Sequence, residues 1–305
     1  VTASVPGNTE TATAAQRAIL AWAADHGRDL PWRRTRDPWA VLVSEVMLAQ
    51  TQVARVIPRW EAFVQRWPDP ASCAAAPVGE VIAAWNGLGY NRRALLLHGA
   101  ASVIVERHGG KIPADLDELV ALPGVGPYTA RAVMAFAFDA TVGVVDTNAA
   151  RVLARAIAGR RLTRSQAQTL ADRSVPPGRG WEWNQALLDL GALRCTNRRP
   201  SCPKCPLGPS SAAQCAWARR RGPDPAAGSA GTSKPQSRFA GSDRQGRGRI
   251  IAAMSASPAL GIDPHQVAAL AGWPDDPARA AGVVRGLIAD GLVVVAPDGE
   301  LRLPL

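Results

Sequence analysis

From Ala14 to about Leu193, apolar residues recur at the three- and four-residue spacing of amphipathic helices. The runs break near Pro31, Pro68, Pro77, Gly87, Gly109, Pro123, Gly143 and Pro176, residue types that punctuate helices. No strand-like alternation intervenes, so the expected fold is all-α. Val1–Thr13 is small and polar and reads as disordered. Gly222–Ser233 is nearly all Gly, Pro, Ala and Ser and cannot bury enough apolar surface to order itself. Residues 222–245 are therefore expected to link a large domain, 14–221, to a small one, 246–305. The small one shows three helical runs, Arg247–Ala256, Pro264–Ala271 and Pro277–Asp290. Behind them, Leu292–Ala296 and Glu300–Leu303 flank the turn signal Pro297-Asp298-Gly299. Three helices and a terminal hairpin predict a winged-helix-like module.

Chemistry enters where the periodic pattern is interrupted. Leu116, Leu119, Val120 and Leu122 precede Pro123-Gly124-Val125-Gly126-Pro127-Tyr128, and Ala130, Val133, Met134 and Ala137 follow at helical spacing. The pattern is a helix-hairpin-helix: Gly124 and Gly126 let the backbone approach a ligand, and the amides opening the next helix suit a phosphodiester. In Val41–Leu48 a single carboxylate, Glu45, stands in an apolar run. Burial disfavours the charged form, which suits a general acid, although a glutamate paired with an arginine would leave the same trace. Gln50-Thr51-Gln52 offers amides that read or wedge apart bases, or else a polar loop with Thr51 capping the next helix. Asp146 opens another helical run, either as a plain N-cap or as a functional charge. The two tyrosines, Tyr90 and Tyr128, each follow a glycine-containing turn, where an aromatic can wedge between bases or pack into the core. Trp32 sits in a turn beside arginines and is a candidate pocket wall.

The chain has 305 residues, 47% of them hydrophobic, enough for one large core and a smaller second one. Its net charge of +10 favours a polyanionic partner. No apolar run reaches eighteen residues, and Val1–Thr13 lacks a basic segment followed by an apolar one. The expectation is a cytoplasmic protein with no membrane partner. Of five cysteines, Cys195, Cys202, Cys205 and Cys215 cluster as C-x6-C-x2-C-x9-C. Four thiolates at that spacing suit a [4Fe-4S] cluster or a structural zinc equally. Arg194, Arg198, Arg199 and Lys204 are interleaved with them, as in a loop that meets phosphates.

Seven segments occur in one order: Leu30–Arg33, Ser44–Leu48, Gln50–Val53, Gly87–Tyr90, the hairpin, Val145–Asn148, and Trp183–Ala186 leading to Cys195. In them the chain resembles the adenine DNA glycosylases of the MutY family, over about Ala14–Ala218. That resemblance implies an all-helical helix-hairpin-helix glycosylase with an iron-sulfur domain built from the N-terminal helix and about Trp181–Arg221. Cys195, Cys202, Cys205 and Cys215 would hold a [4Fe-4S] cluster. The enzyme would be a chiefly monofunctional, monomeric, nucleoid-associated one, hydrolysing the N-glycosidic bond of adenine opposite 8-oxoguanine or guanine in double-stranded DNA. By matching position, Glu45 would protonate adenine, Asp146 would stabilise the sugar cation, and Asn148 and Tyr128 would partner them. Gln50 and Tyr90 would enter the base stack beside Thr51, with Gly124 and Gly126 on the backbone. Arg28, Leu30, Trp32 and Gln185 would contact or enclose the base.

The chain departs from the family in three places. Ala49 stands where many members have glutamine. Nine residues rather than five separate the last two cysteines, a change worth only about 0.5 kcal/mol in loop closure. A Nudix-like domain common in the family is replaced by about sixty winged-helix-like residues. Among rival readings, an endonuclease III-like lyase would carry lysine at Tyr128. A thymine-mismatch glycosylase shares the tyrosine but not the setting of Glu45, and a non-catalytic iron-sulfur regulator gives no reason to bury a carboxylate.

Overall fold

The computed structural model describes residues 9–220, 222–229, 238–256 and 261–305. In chain order the helices are α1 (Thr9–His26), α2 (Pro38–Leu48), α3 (Val53–Arg66), α4 (Pro70–Ala74), α5 (Val78–Ala84), α6 (Arg92–His108), α7 (Leu116–Val120) and α8 (Pro127–Ala137). They continue as α9 (Thr147–Val152), α10 (Arg164–Ser174), α11 (Gly180–Leu193), α12 (Ala216–Arg220), α13 (Asp243–Ala256), α14 (Val267–Ala271) and α15 (Pro277–Ala289). Strands β1 (Val294–Val295) and β2 (Leu301–Arg302) close the chain. The all-α expectation holds. The periodicity misses the π-helical turn Leu153–Ala158 that continues α9, and it starts α1 too late. Residues 9–13, expected to be disordered, form the start of α1. The first eight residues lie outside the described ones.

The chain packs as two compact units, residues 1–36 with 130–235 and residues 37–129 with 236–305. In the first, Ile19, Trp22, Leu153, Trp183, Leu187 and Leu190 form a buried core, with α11 against α1 and α9. A Cβ on Gly191 would lie 2.6 Å from the Cβ of Asn148, so glycine there permits the close approach of α9 and α11. The start of the expected linker is docked on this unit. Arg155 forks onto Asp224 at 2.8 and 2.5 Å, and Ser229 accepts from the Leu162 amide at 3.1 Å. An arginine only 1% exposed requires such a carboxylate, and composition did not reveal the pair.

In the second unit α2 is buried continuously from Trp39 to Met47, a core helix on every face. Asp37 caps it by accepting from the Ala40 amide at 2.7 Å, and Pro38 occupies its first turn. The helix-hairpin-helix is α7, a turn and α8, with Leu122 and Val125 buried. Gly124 has φ +74°, and a Cβ there would lie 2.7 Å from the Leu96 side chain, so both conformation and space demand glycine. Helices α13–α15 and the β1–β2 hairpin form the expected winged-helix-like module around Ile250, Met254, Val283, Leu287 and Leu292. Its first helix starts at Asp243, inside the expected linker, and each strand has only two residues. On the other edge of the hairpin Leu301 of β2 is bridged to Ile262 by two backbone hydrogen bonds of 2.9 Å, while Val294 and Val295 of β1 are exposed. The module does not pack apart from residues 37–129: α13 lies on α5, and Gly79 abuts Pro304. One boundary between the units, at 235/236, falls inside residues 222–245, and the other two, at 36/37 and 129/130, cut across the expected large domain.

Candidate active site

In the second unit Glu45 is 6% exposed and is the single carboxylate of α2. Past the end of α2, Gln50 adopts φ +60°, and Tyr90, between α5 and α6, adopts φ +51°. Among the described residues only Asp139 joins them as a non-glycine in that region, a conformation that costs on the order of 1–3 kcal/mol and concentrates at functional sites. One side chain ties the two turns together. Arg93 donates to the carbonyls of Val46 (2.6 Å) and Met47 (3.0 Å), to Thr51 Oγ1 (3.0 Å) and to the Gly89 carbonyl (2.9 Å). Burial lowers its pKa to about 10, leaving it charged at neutral pH. Thr51 is not the expected helix cap: Gln52 holds that position without a side-chain bond, while the Thr51 hydroxyl reaches the Leu88 carbonyl at 3.3 Å. Arg93 escaped the sequence reading because nothing in Asn91-Arg92-Arg93 separates it from a solvent-facing cation.

A small cleft joins this clamp to the hairpin, with Ala49, Arg93, Gly124 and Thr129 in its wall. Nothing lies within 4 Å of a Cβ built on Gly126, so the backbone there is open to a ligand. Tyr128, in the first turn of α8, is 37% exposed. The opening turn of a helix carries amides without an intrahelical acceptor, a setting that favours an anion.

In the first unit Asp146 is both a cap and the centre of a polar chain. One oxygen accepts from the Ala149 amide at 2.7 Å, the other from Asn148 Nδ2 at 2.9 Å. Asn148 Oδ1 in turn accepts from Arg151 at 2.7 Å, and Arg151 also donates to the Cys195 carbonyl at 2.6 Å. Burial pushes the Asp146 carboxyl above the usual aspartate range, outweighing the amide hydrogen bonds and Arg151, which pull it down. The plain-cap and functional-charge readings are thus compatible.

Leu30 and Trp32 are buried at 7% and 6% exposure, and Gln185 on α11 at 8%, walls rather than surface. Arg28 is held by Asp189, one turn after Gln185, through Nε at 2.5 Å and its amide at 2.9 Å. Arg33 donates to both oxygens of the same carboxylate, at 2.7 and 2.9 Å. The two arginines keep Asp189 below the usual range against the opposing effect of burial. Asp189 was missed at the sequence level, because it reads as an ordinary helix acid until its partners about 160 residues earlier are known.

The four clustered cysteines line one cavity together with Arg155 and Arg194. Burial and the neighbouring cysteines raise the Cys205 thiol to about 11, so a thiolate there needs a cation. Arg155 donates toward Cys195 Sγ at 3.6 Å. Arg194 Nε is buried with no hydrogen-bond partner in the protein. Arg194 therefore faces inward, unlike the exposed Arg198, Arg199 and Lys204 expected beside it. Among the described residues no three Cys, His, Asp or Glu side chains converge closely enough for a single ion. Four sulfurs and two guanidiniums around one cavity fit an anionic group held by thiolates.

Residues 43–177 match the HhH-GPD superfamily of base excision DNA repair proteins. The adenine DNA glycosylase of Mycobacterium tuberculosis is 42% identical over 297 residues, covering 94% of this chain and 92% of that protein, so the terminal module is shared. The adenine DNA glycosylase of Homo sapiens is 43% identical over 209 residues, 64% of this chain and 38% of the human protein. A thermostable thymine-DNA glycosylase structure superposes with TM-score 0.65 at 30% identity, covering 70% of this chain and 99% of that one. No described helix is long and apolar enough to cross a membrane.

Proposed function

The chain belongs to the adenine DNA glycosylases of the helix-hairpin-helix base excision repair superfamily, and from that premise we propose a residue-level mechanism for adenine opposite 8-oxoguanine or guanine. The enzyme excises adenine by hydrolysing its N-glycosidic bond. Glu45 delivers a proton to a ring nitrogen, so the base leaves neutral and takes the glycosidic electron pair. The carboxylate of Asp146 stabilises the cationic sugar left behind, and water adds to its anomeric carbon with loss of a proton. This assignment is supported by a lone carboxylate in a core helix and, separately, by a second carboxylate held as an acceptor by Ala149 and Asn148. Before chemistry the adenine must leave the stack at a cost of a few kcal/mol, which Gln50 and Tyr90 offset by filling its place. Tyr128 and Asn148 partner the two carboxylates at the reacting base, and the Gly124–Gly126 turn holds the backbone of the duplex. Arg28, Leu30, Trp32 and Gln185 enclose the base, with Asp189 fixing the first.

A phenol forms no Schiff base, so Tyr128 predicts a monofunctional enzyme. Borohydride added during turnover is expected to trap no covalent complex, and the product strand should stay intact until heated in alkali. Trapping at the rate of base release would refute this and point to a lysine elsewhere.

Cys195, Cys202, Cys205 and Cys215 would hold a [4Fe-4S] cluster, supplying an ordered anionic core under the loop that carries Arg198, Arg199 and Lys204. Anaerobically purified protein should be brown and contain about four irons. Cys215→Ser should lose less iron than Cys202→Ser, given its longer tether. Colourless, fully active protein with one zinc would overturn the assignment.

A further inference from the structure

We propose that Arg244, in the C-terminal module, is a positioning residue for Tyr90, and that the module thereby controls how firmly the enzyme engages a mispair. The inference rests on the reading of Tyr90 as the residue that enters the base stack. Arg244 Nη1 donates to the Tyr90 hydroxyl at 3.2 Å, from the first turn of α13. Arg93 stands 5.7 Å from the Tyr90 ring centroid and is itself fixed by carbonyl and hydroxyl acceptors of Val46, Met47, Thr51, Leu88 and Gly89. A phenol 41% exposed on a left-handed turn is thus held at its tip as well as its face. Arg244 also lies 5.9 Å from the ring of Phe239, which is 56% exposed.

The module is well placed to act on that turn, because it grips both helices that carry it. Helix α13 packs on α5, which precedes the turn, and the chain end at Leu303–Pro304 covers Gly79 of α5. On α6, which follows the turn, Arg92 pairs with Asp290 at 3.7 Å, and Leu95 meets Gly291. Arg247 of α13 pairs with the same Asp290. A wedge works by replacing a base, so any freedom it retains beforehand must be lost on binding. Fixing the hydroxyl from a separate module removes part of that loss before DNA arrives.

The test uses the full-length protein with a duplex carrying a non-cleavable adenine analogue opposite 8-oxoguanine. Arg244→Ala and Tyr90→Phe, which removes the accepting hydroxyl, should each weaken binding by about 3- to 10-fold. The double variant should be no weaker than either single one. Arg244→Lys should recover part of the loss, and 2-aminopurine beside the mispair should report reduced unstacking. The salt dependence should not change, whereas loss of a phosphate contact would lower its slope by about 0.9. A neutral Arg244→Ala, losses that multiply in the double variant, or a lowered salt slope would each overturn the proposal. Tyr90→Ala separates the two levels. If it leaves mispair binding intact, the wedge reading itself fails; if it is damaging while Arg244→Ala is neutral, only the positioning role fails.

Discussion

Glu45→Gln is expected to slow single-turnover adenine excision by about 10²- to 10⁴-fold while leaving mispair affinity within about tenfold. Glutamine keeps the volume and hydrogen-bonding reach of the side chain in a helix whose residues from Trp39 to Met47 are all buried, but it has no proton to give. A binding-only role for Glu45 predicts the reverse pattern, with affinity falling and the rate constant unchanged at saturation. Excision near the wild-type rate would remove Glu45 from the mechanism.

Asp146→Asn should be the second most damaging change, losing on the order of 10²- to 10³-fold in the excision rate. Its effect on stability should run the other way. The folded-state pKa of Asp146 lies above the ordinary value of about 3.9, so the fold binds this proton more tightly than the unfolded chain does. The resulting penalty appears as pH rises through the ordinary value and is fully present above the raised one. Asparagine removes the penalty and remains a good N-cap toward the Ala149 amide. The variant's melting temperature at neutral pH should equal or exceed that of the wild type. In the wild type the acid limb of the single-turnover rate should titrate above the ordinary aspartate range, and Asp146→Asn should lack it. A wild-type limb at or below about 4 would show that Asp146 is not the group that must be ionised.

Glu45 and Asp146 were legible in the sequence because each interrupts a pattern, one an apolar run and the other the start of a helix. The hairpin was legible because Gly124 demands glycine twice over, by conformation and by its contact with Leu96. The residues that hold these groups were not. Arg93 bonds to carbonyls 46 and 47 positions earlier, and Asp189 collects Arg28 and Arg33 from the other end of the chain. Such pairings are set by tertiary packing, and local periodicity carries no trace of them. The same limit explains Asp224: a Gly- and Pro-rich stretch reads as linker unless the buried arginine awaiting its carboxylate is known. Composition likewise could not show that the C-terminal module would share a packing unit with α5 and α6.

The most direct measurement is base release, under single-turnover conditions, from duplexes carrying A, T or G opposite 8-oxoguanine, G or C. Free adenine should be released from the duplexes with A opposite 8-oxoguanine and A opposite G, with no thymine or guanine released from any duplex. Thymine release from the T:G duplex, with adenine left in place, would contradict adenine specificity and assign the chain the chemistry of the thymine-DNA glycosylase it structurally resembles.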